Sequence, residues 1–445
     1  MAPTFDKEYV LKTVEERDIK FIRFWFTDVL GVLKSFSVTE SELDGAFEEG
    51  MGFDGSSIDG FTRIQESDMV AYPLPESFQM LPWRPAEQGV GRMFCDIVKP
   101  DGEPFEGDPR YALKRVLNKA ADMGLTMYVG PELEFFYFAD ESGTQVLDEG
   151  GYFDLTPLDV ASDLRRDTVL TLEKMGIPVE YSHHEVAPSQ HEIDLRYADA
   201  LSMADNVMTY RLVVKEVAMQ NGVYATFMPK PVEGQNGSGM HTHQSLFSKD
   251  GNAFFDPNDP EGYNLSKIAK HYIAGLLKYA PEFCAVTNPL VNSYKRLIPG
   301  YEAPVYITWA RRNRSAMVRV PMYKPGKEGA TRIELRSPDP SCNPYLAFAV
   351  MLGAGLKGIE EELPLPPEAT NNIFHMTDED LAAAGIGQLP RNLGEAIEMF
   401  EQSVAMKDIL GEHIHTFYVE NKKAEWADFI KNVSQWELDR YLSVI

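Results

Sequence analysis

The segment from Arg332 to Arg336 reads Arg-Ile-Glu-Leu-Arg, and its alternation of polar and apolar side chains strongly constrains the fold. Successive side chains of a β-strand point to opposite faces, so Arg332, Glu334 and Arg336 share one face while the apolar residues face the core. Residues 132–134 (Glu-Leu-Glu) and 241–243 (His-Thr-His) show the same pattern. An isolated buried charge is very costly, so such a sheet needs something that neutralises both signs. Divalent metal ions and phosphate groups together meet that need.

The composition is that of a large acidic chain. At 445 residues it is too long for one compact core, so we expect two or more domains. The formal net charge of −26 argues against nucleic acid as a partner, because duplex binding needs lysines and arginines on the phosphates. Between Tyr294 and Arg336, however, the chain carries ten lysines and arginines against three glutamates. This basic stretch predicts a small anionic ligand.

The sequence also indicates a cellular location. The start, Met-Ala-Pro-Thr-Phe-Asp, lacks the basic and apolar regions of a signal peptide, and no apolar run approaches the roughly 18 residues of a membrane span. Cys95, Cys284 and Cys342 are isolated from one another, with no CxxC spacing. We therefore expect a cytoplasmic protein with no membrane partner.

Helical and strand-like stretches alternate along the chain and predict an α+β fold with a mostly antiparallel sheet. Residues 21–38 read as a hairpin that turns near residues 28–31, and Asp108-Pro109 is a favourable start for a helix that reaches Gly124. Glycines and prolines place a domain boundary near 100–107. Further helices are predicted over residues 160–175, 198–220, 263–280, 343–359 and 391–410.

The polar segments favour metal chemistry, although each has a simpler reading. Glu-x-Glu on a strand also fits a half-exposed sheet, and residues 183–192 also fit a surface hairpin, which would bring Glu185 and Glu192 side by side. Paired histidines on one strand face after a glycine-rich loop favour ligand contact. Glutamates with histidines and no cysteine suit Mg²⁺ or Mn²⁺ better than zinc. With the nearby arginines, they predict a metal-dependent phosphoryl-transfer enzyme that acts on a small anion.

Eight motifs, in order along nearly the whole chain, resemble class I bacterial glutamine synthetase and within it the alpha subtype. They are Phe-Asp54-Gly-Ser-Ser57-Ile, Pro-Glu132-Leu-Glu134-Phe-Phe, His-His-Glu185-Val-Ala-Pro, Asn236-Gly-Ser-Gly-Met-His241-Thr-His243, Asn-Ser-Tyr-Lys-Arg296-Leu, Pro-Gly-Tyr-Glu302-Ala-Pro, Arg-Asn-Arg314-Ser and Arg332-Ile-Glu334-Leu-Arg336. The resemblance implies a small N-terminal β-grasp-like domain over residues 1–104. It also implies a large catalytic domain over residues 105–445, whose mostly antiparallel sheet forms the active-site funnel.

The activity implied by this resemblance is ATP-dependent ligation of ammonia to L-glutamate, a step of nitrogen assimilation. The reaction passes through γ-glutamyl phosphate and gives L-glutamine, ADP and phosphate. The implied assembly is a dodecamer of two hexameric rings with active sites between subunits. One rival is a γ-glutamylpolyamine or other γ-glutamyl-amine synthetase on the same fold, against which the retained ammonium-site residues argue. The other is a catalytically inactive assembly protein, against which the complete set of metal-ligand residues argues.

The resemblance assigns roles to individual residues. Two or more Mg²⁺ or Mn²⁺ ions per site are implied, the first held by Glu134, Glu185 and Glu192 and the second by Glu132, His241 and Glu334. Glutamate is assigned to Asn236, Gly237, Arg296 and Arg336. ATP, the co-substrate, is assigned to Glu180, His243, Arg314, Arg319 and Arg332. Ammonium is assigned to Asp54, Ser57, Tyr152 and Glu185, with Asp54 reaching into the neighbouring subunit's site. Asp54 and Glu302 are the candidates for taking the ammonium proton, and Glu302 resembles the flap residue that closes over the intermediate.

Two positions concern regulation. Phe374 stands where the adenylylated beta subtype carries a tyrosine, so the resemblance predicts that this modification is absent here. Arg63 resembles the alpha-subtype arginine associated with glutamine feedback, although it also fits a simple exposed loop cation.

Overall fold

The structure is a computed structural model that describes residues 5–61, 67–300, 303–313, 315–370, 373 and 376–445. Four residues named above, Arg63, Glu302, Arg314 and Phe374, lie outside this described part. Within it, no helix is both long enough and apolar enough to cross a membrane.

The described residues up to Val98 form a six-stranded sheet with two helices. Its elements are α1 (Lys7–Glu16), β1 (Phe21–Thr27), β2 (Leu33–Thr39), α2 (Glu40–Glu49), β3 (Met51–Asp54), β4 (Asp68–Pro73), β5 (Gln79–Met80) and β6 (Val90–Val98). The strand order is β2-β1-β6-β4-β3, with β5 on β6. β1 and β2 are the predicted hairpin, antiparallel from Phe21 opposite Thr39 to Thr27 opposite Leu33. A separate apolar core, with Phe24 and Met93 fully buried, holds this sheet.

The rest of the chain forms a second, larger sheet covered by helices. Its elements are α3 (Pro109–Asp122), β7 (Thr126–Phe138), α4 (Ser162–Lys174), β8 (Val179–His184), β9 (Gln190–Leu195), β10 (Ala198–Asp199), α5 (Ala200–Gln220), β11 (Tyr224–Thr226), β12 (Met240–Ser248), β13 (Gly251–Asn252), α6 (Lys267–Thr287), α7 (Ser293–Arg296), β14 (Tyr306–Ala310), β15 (Ala316–Arg319), β16 (Ile333–Leu335), α8 (Pro344–Glu360), α9 (Asp378–Ala383), β17 (Gly387–Gln388), α10 (Leu393–Gln402), α11 (Val404–Leu410), α12 (Glu412–Phe429) and α13 (Gln435–Tyr441). The main strand order is β17-β14-β15-β16-β12-β7-β9-β8.

The central strand β7 shows how sequence positions the site. Its residues Val129, Leu133 and Phe135 are fully buried in the core, on the side where α3 and α5 pack. Because side chains alternate, Glu132 and Glu134 point to the opposite face. The apolar alternation of one strand therefore fixes which face of the whole sheet carries the polar groups.

A buried polar network joins the two sheets. Arg110 on α3 donates to Asp96 on β6 at 2.6 Å and to Asp205 on α5 at 3.1 Å, and Tyr345 donates to the same Asp205 at 2.6 Å. Asp108 caps α3 by accepting the backbone N–H of Arg110 at 2.9 Å. Because these groups are largely buried and mutually paired, the network fixes how the small sheet sits against the large one.

The predicted α+β class and the mostly antiparallel pairing are confirmed. Among the described strands, two pairs run parallel instead, β1 with β6 and β14 with β15. The helix predicted over 263–280 continues through Pro281 to Thr287. The helical stretch predicted over 391–410 is confirmed but is divided in two, because Ser403 ends α10 and its hydroxyl caps α11 by accepting the backbone N–H of Met406 at 3.0 Å. Helices α12 and α13 follow and were not predicted.

Candidate active site

Antiparallel pairing brings the three polar segments together on one sheet face. β12 lies between β7 and β16, and this places His241 opposite Glu132 and His243 opposite Glu334. On the other side of β7, Glu134 lies opposite Glu192 of β9. The face therefore holds two neighbouring groups of acids, one on each side of β7.

The first group combines acids with histidines and arginines. Glu132 lies 2.6 Å from Nε2 of His243 and 3.4 Å from Nδ1 of His241. Glu334 pairs with Arg319 and accepts a hydrogen bond from Nε of Arg336 at 3.1 Å. Glu132, His243 and Glu334 each place one ligand atom within 4.8 Å of the others. Both imidazoles thus contact this group, His243 more closely than His241.

The second group is dominated by carboxylates. The β8–β9 hairpin brings Glu185 and Glu192 together as predicted, with one atom of each and of His183 within 4.8 Å of one another. His183 Nε2 lies 2.9 Å from Glu185. Glu134 accepts hydrogen bonds at 2.9 Å from the Gln190 amide and from the backbone N–H of Gly239. The readings as a half-exposed sheet and a surface hairpin are excluded, because Glu134 and Glu192 are buried.

The two groups differ in their electrostatics. Burial raises the pKa of Glu132, but hydrogen bonds from His241 and His243 outweigh it, so the net pKa is lowered. The pKa of Glu334 is also lowered overall, since the histidines and Arg336 outweigh burial. In contrast, burial and then a neighbouring carboxylate raise the pKa of Glu134 and of Glu192 well above the usual range. Burial and mutual proximity thus disfavour the ionised carboxylates of the second group, and a bound divalent cation would favour the ionised form again.

A cavity beside the second group is lined by residues predicted to bind glutamate. Asn236, Gly237 and Arg296 line it together with Glu134, Glu185, Gln190, His241 and Ala303. The buried Arg296 is held in place because it donates to the backbone carbonyl of Ser337 at 2.7 Å. Gly237 has no room for a side chain, since a Cβ there would lie 2.4 Å from the Pro229 carbonyl oxygen. The loop can therefore pass closely over the arginine.

Of the residues predicted to bind ATP, His243, Arg319 and Arg332 lie at the side of the first group, whereas Glu180 lies at the side of the second group. Nε of Arg332 donates to Nδ1 of His243 at 3.1 Å, and Arg319 pairs with Glu334. Glu180 is exposed on the edge strand β8. Arg314 lies outside the described residues. The structure therefore locates three of the four basic side chains predicted to bind ATP.

The predicted ammonium residues fall into two places. Tyr152 is half exposed and packs edge-on against His183, with ring centroids 5.3 Å apart, near Glu185. Asp54 and Ser57 are exposed on the small sheet, where Asp54 accepts the backbone N–H of Ser56 at 2.8 Å. That N–H and the Ser56 side chain lower the pKa of Asp54. No hydrogen bond or ion pair between described residues joins Asp54 or Ser57 to Glu185.

The structure adds residues that the sequence reading missed. Gln190 bridges Glu134 and the backbone carbonyl of Gly237, at 2.9 and 3.1 Å. Asp194 lies opposite Glu132, and burial raises its pKa to about 6. Asp194 could have been found, because it follows Glu192 by two positions on the same strand and so shares its face.

Behind the second group lies a buried set of polar side chains. Asp148 Oδ1 lies 3.0 Å from Nε2 of His184, whose Nδ1 lies 2.7 Å from the backbone carbonyl oxygen of Glu185. Both ring nitrogens face acceptors, which suits a doubly protonated ring. Burial lowers the pKa of His184, but Asp148 and the Glu185 carbonyl outweigh it and raise the pKa overall. Next to it, His191 contacts Arg165 at 2.8 Å.

Comparisons with known proteins agree over the full length. Residues 18–100 match the model of the glutamine synthetase beta-Grasp domain, and residues 106–441 match that of the glutamine synthetase catalytic domain. The glutamine synthetase of Mycolicibacterium smegmatis is 54% identical, with 98% of this chain and 99% of the relative covered. That of Methanosarcina mazei is 55% identical, with 99% and 98% covered. The glutamine synthetase structure from Plasmodium falciparum superposes with a TM-score of 0.89 at 25% identity, covering 98% of both chains. The structure of the GmaS/ADP complex superposes with a TM-score of 0.88 at 33% identity, covering 99% and 100%.

Proposed function

Because this chain belongs to the glutamine synthetase family, we infer that it ligates ammonia to L-glutamate in an ATP-dependent reaction that yields L-glutamine. The observation that carries this function is the shared sheet face, on which antiparallel pairing gathers acids, histidines and arginines around one cavity. Phosphoryl transfer needs this combination, because the attacking carboxylate, the phosphates and the metals must be positioned and their charges balanced. The chain accordingly acts as a ligase of glutamine biosynthesis.

Two divalent ions, Mg²⁺ or Mn²⁺, fit the two acidic groups. Glu134, Glu185 and Glu192 would hold the first, and Glu132, His241 and Glu334 the second. Support comes from the carboxylates of Glu185 and Glu192, which have oxygens within 4.8 Å of each other, and from burial and neighbouring carboxylates, which raise the pKa of Glu134 and Glu192. When bound, such ions neutralise phosphate oxygens and orient the γ-phosphate for attack. His243 contacts Glu132 as well, so it orients that carboxylate besides its proposed role towards the nucleotide.

For the substrates, we assign glutamate to the cavity and ATP to the arginine side of the sheet. Arg296 and Arg336 would hold the glutamate carboxylates, with Asn236 and Gly237 at the cavity wall. Arg319, Arg332 and Arg314 would face the ATP phosphates, with His243 and Glu180 towards the nucleotide. Arg336 already donates to Glu334, so it would link the glutamate site to the second ion. In this arrangement the reaction would pass through γ-glutamyl phosphate, as in the family, and Glu302 would shield that intermediate from water.

Ammonium would bind between Tyr152 and Glu185 of one subunit and Asp54 and Ser57 of its neighbour. Support for this arrangement is that Asp54 ends β3 of the small sheet, whereas Glu185 follows β8 of the large sheet and Tyr152 packs on His183 at the end of β8. Asp54 has a lowered pKa and can accept a proton as a carboxylate. A head-to-tail ring of six subunits, doubled to a dodecamer, would supply the neighbour at every site.

The finer classification is also a proposal. We assign the chain to the class I alpha subtype, with Arg63 in glutamine feedback and no adenylylation at Phe374. We also propose a β-grasp-like domain over residues 1–104 and a catalytic domain over 105–445, supported by the two separate sheets. A cytoplasmic location fits three cysteines that are buried and free.

The decisive experiment is product identification from ATP, glutamate and a panel of amines. We expect glutamine to form far faster from ammonium than adducts form from methylamine, putrescine or spermidine. Glu334→Ala should abolish turnover, since it removes a proposed ligand and leaves Arg319 and Arg336 without their acid. Dominant polyamine adducts would instead establish the γ-glutamyl-amine synthetase, and the absence of all product would establish the inactive assembly protein.

The shared site between subunits can be tested by mixing two inactive variants. Asp54→Ala and Glu334→Ala subunits are co-expressed and assembled together. If Asp54 acts in its neighbour's site, about a quarter of the sites in a randomly mixed head-to-tail ring are intact. If it acts in its own chain, none are, and the mixture stays as inactive as its parents.

A further inference from the structure

A buried acid–imidazole pair lies directly behind Glu185, and no role assigned so far uses it. Asp148 and His184 are both almost completely inaccessible to solvent. His184 bridges the Asp148 carboxylate, at 3.0 Å from Nε2, and the backbone carbonyl of Glu185, at 2.7 Å from Nδ1. The imidazole therefore ties the backbone of a proposed metal and ammonium ligand to a fixed acid.

The same pair also organises the chain around Tyr152. Asp148 Oδ1 accepts the backbone N–H of Gly150 at 3.2 Å, and the backbone N–H of Phe153 donates to the His184 carbonyl at 3.1 Å. Gly150 packs so closely that a Cβ there would lie 2.7 Å from Nε2 of His184. The segment that carries Tyr152 is thereby folded against the strand that leads to Glu185.

Asp148 also stabilises the turn that follows Glu185. Asp148 Oδ1 also accepts the backbone N–H of Ser189 at 2.9 Å, and Ser189 has a φ of 59°, a conformation that is uncommon outside glycine. The Ser189 hydroxyl in turn accepts the backbone N–H of Leu147 at 2.6 Å. Asp148 thus stabilises both ends of the connection between β8 and β9.

Metal binding at this pair is a poor alternative. Asp148, His184 and His191 do offer three atoms within 4.8 Å of one another. However, Arg165 lies 2.8 Å from His191 Nδ1, and its guanidinium is fixed by Asp159 at 3.0 and 2.6 Å. A permanent cation at this distance repels a metal ion, and both nitrogens of His184 are already engaged.

We propose that Asp148 and His184 are positioning residues that fix the Glu185 carboxylate relative to Tyr152, and so set the affinity for ammonium. The proposal rests on the ligase function inferred above. The pair touches neither substrate nor ion; it acts through the backbone of Glu185 and the fold of residues 148–153. Loss of the pair should therefore affect the steps that use Glu185 more than the binding of ATP on the far side of β7.

The test compares Asp148→Ala with Asp148→Asn. Alanine removes the acceptor for three donors, whereas asparagine keeps an oxygen in that place. At saturating Mg²⁺, we expect Asp148→Ala to raise the KM for ammonium about 10-fold with a much smaller change in the KM for ATP, and Asp148→Asn to lie nearer to wild type. Without substrates, Asp148→Ala should weaken Mg²⁺ binding in calorimetry and speed hydrogen exchange in residues 185–190.

A second variant of the pair and a control variant complete the test. His184→Gln can still reach Asp148 but not the Glu185 carbonyl, so it should raise the KM for ammonium even if Asp148→Ala does not fold. His415→Asn is the matched control, since it removes a buried histidine–carbonyl hydrogen bond of 3.0 Å to Phe400 in α10, and it should leave the ammonium KM unchanged.

The outcomes separate this inference from the function itself. If wild type makes no glutamine, the ligase function fails. If wild type makes glutamine and the folded Asp148 and His184 variants keep its ammonium KM, the positioning role is wrong. An equal rise in the KM for ammonium and for ATP would also overturn it, because that pattern indicates general loosening of the sheet.

Discussion

Glu192→Gln should stabilise the protein in the absence of metal while it removes metal binding. Glu192 is buried among carboxylates, and one of its oxygens lies within 4.8 Å of a Glu185 oxygen. Two unit charges at that separation repel by about 3 kcal/mol at an effective dielectric constant of about 20. Glutamine keeps the size of the side chain and removes this repulsion. His183 lies 2.9 Å from Glu185 and offsets part of this repulsion, and the raised pKa of Glu192 lets a proton relieve more of it, so the stabilisation should be smaller than the full repulsion between two charges.

The assay is thermal unfolding of wild type and variant at equal subunit concentration, in EDTA and in excess Mg²⁺. In EDTA the variant should have the higher Tm. In Mg²⁺ at about 100 times the dissociation constant, wild type should gain about 2.7 kcal/mol while the variant gains little. The difference between the Tm of the variant and that of wild type should therefore shrink or change sign when metal is added.

Asp194→Asn is the matched control for this prediction. It removes another buried acid from the same sheet face, two residues after Glu192, but Asp194 is not a proposed metal ligand. It should also raise the Tm in EDTA, yet keep the Mg²⁺-dependent rise. The reasoning is refuted if Glu192→Gln lowers the Tm in EDTA, or if it retains the full rise with Mg²⁺.

Three further predictions concern stability and regulation. Burial raises the pKa of Asp108 to about 7, so its contribution to stability is present below about pH 4 and lost as the pH rises through about 7. Asp108→Asn, an equally good helix cap, should flatten that part of the Tm–pH curve, and an unchanged curve would contradict this. Adenylyltransferase and ATP should add no AMP near Phe374, which intact-mass spectrometry checks directly. Arg63→Ala should keep catalysis but weaken glutamine inhibition; an unaltered inhibition curve would leave Arg63 as a simple surface cation.

Sequence periodicity predicted the polar sheet face because alternation is a local property. Ile333 and Leu335 are fully buried and Glu334 points to the polar face, as the pattern of that segment requires. The strand order is not local, and only the structure shows that β12 separates β7 from β16 and so brings His243 closer to Glu132 than His241. The division of the histidines between metal and nucleotide therefore could not be read from spacing.

Contacts between residues far apart in the chain could not be predicted from the sequence either. His184 was part of the motif that carried the resemblance, but its partner Asp148 is 36 positions away and in no regular element. The break at Ser403 did have a local signal, a serine that caps the next helix, but the apolar periodicity across it was stronger. Contacts between subunits leave no local signal of this kind, so the spacing of residues along the chain does not indicate which subunit's site Asp54 enters.

The order of the strands along the chain has a consequence for synthesis on the ribosome. β7, β8, β9 and β12, with the acids from Glu132 to Asp194, emerge well before Arg319, Glu334 and Arg336. Until residue 336 has left the exit tunnel, β16 cannot pair with β12, and Glu132 and the two histidines lack Glu334 and the arginines bound to it. The last third of the chain thus completes the first acidic group, whose other members come from the middle third. Products of premature termination before this point should leave this edge of β12 without its β16 partner, and an unpaired strand edge favours aggregation.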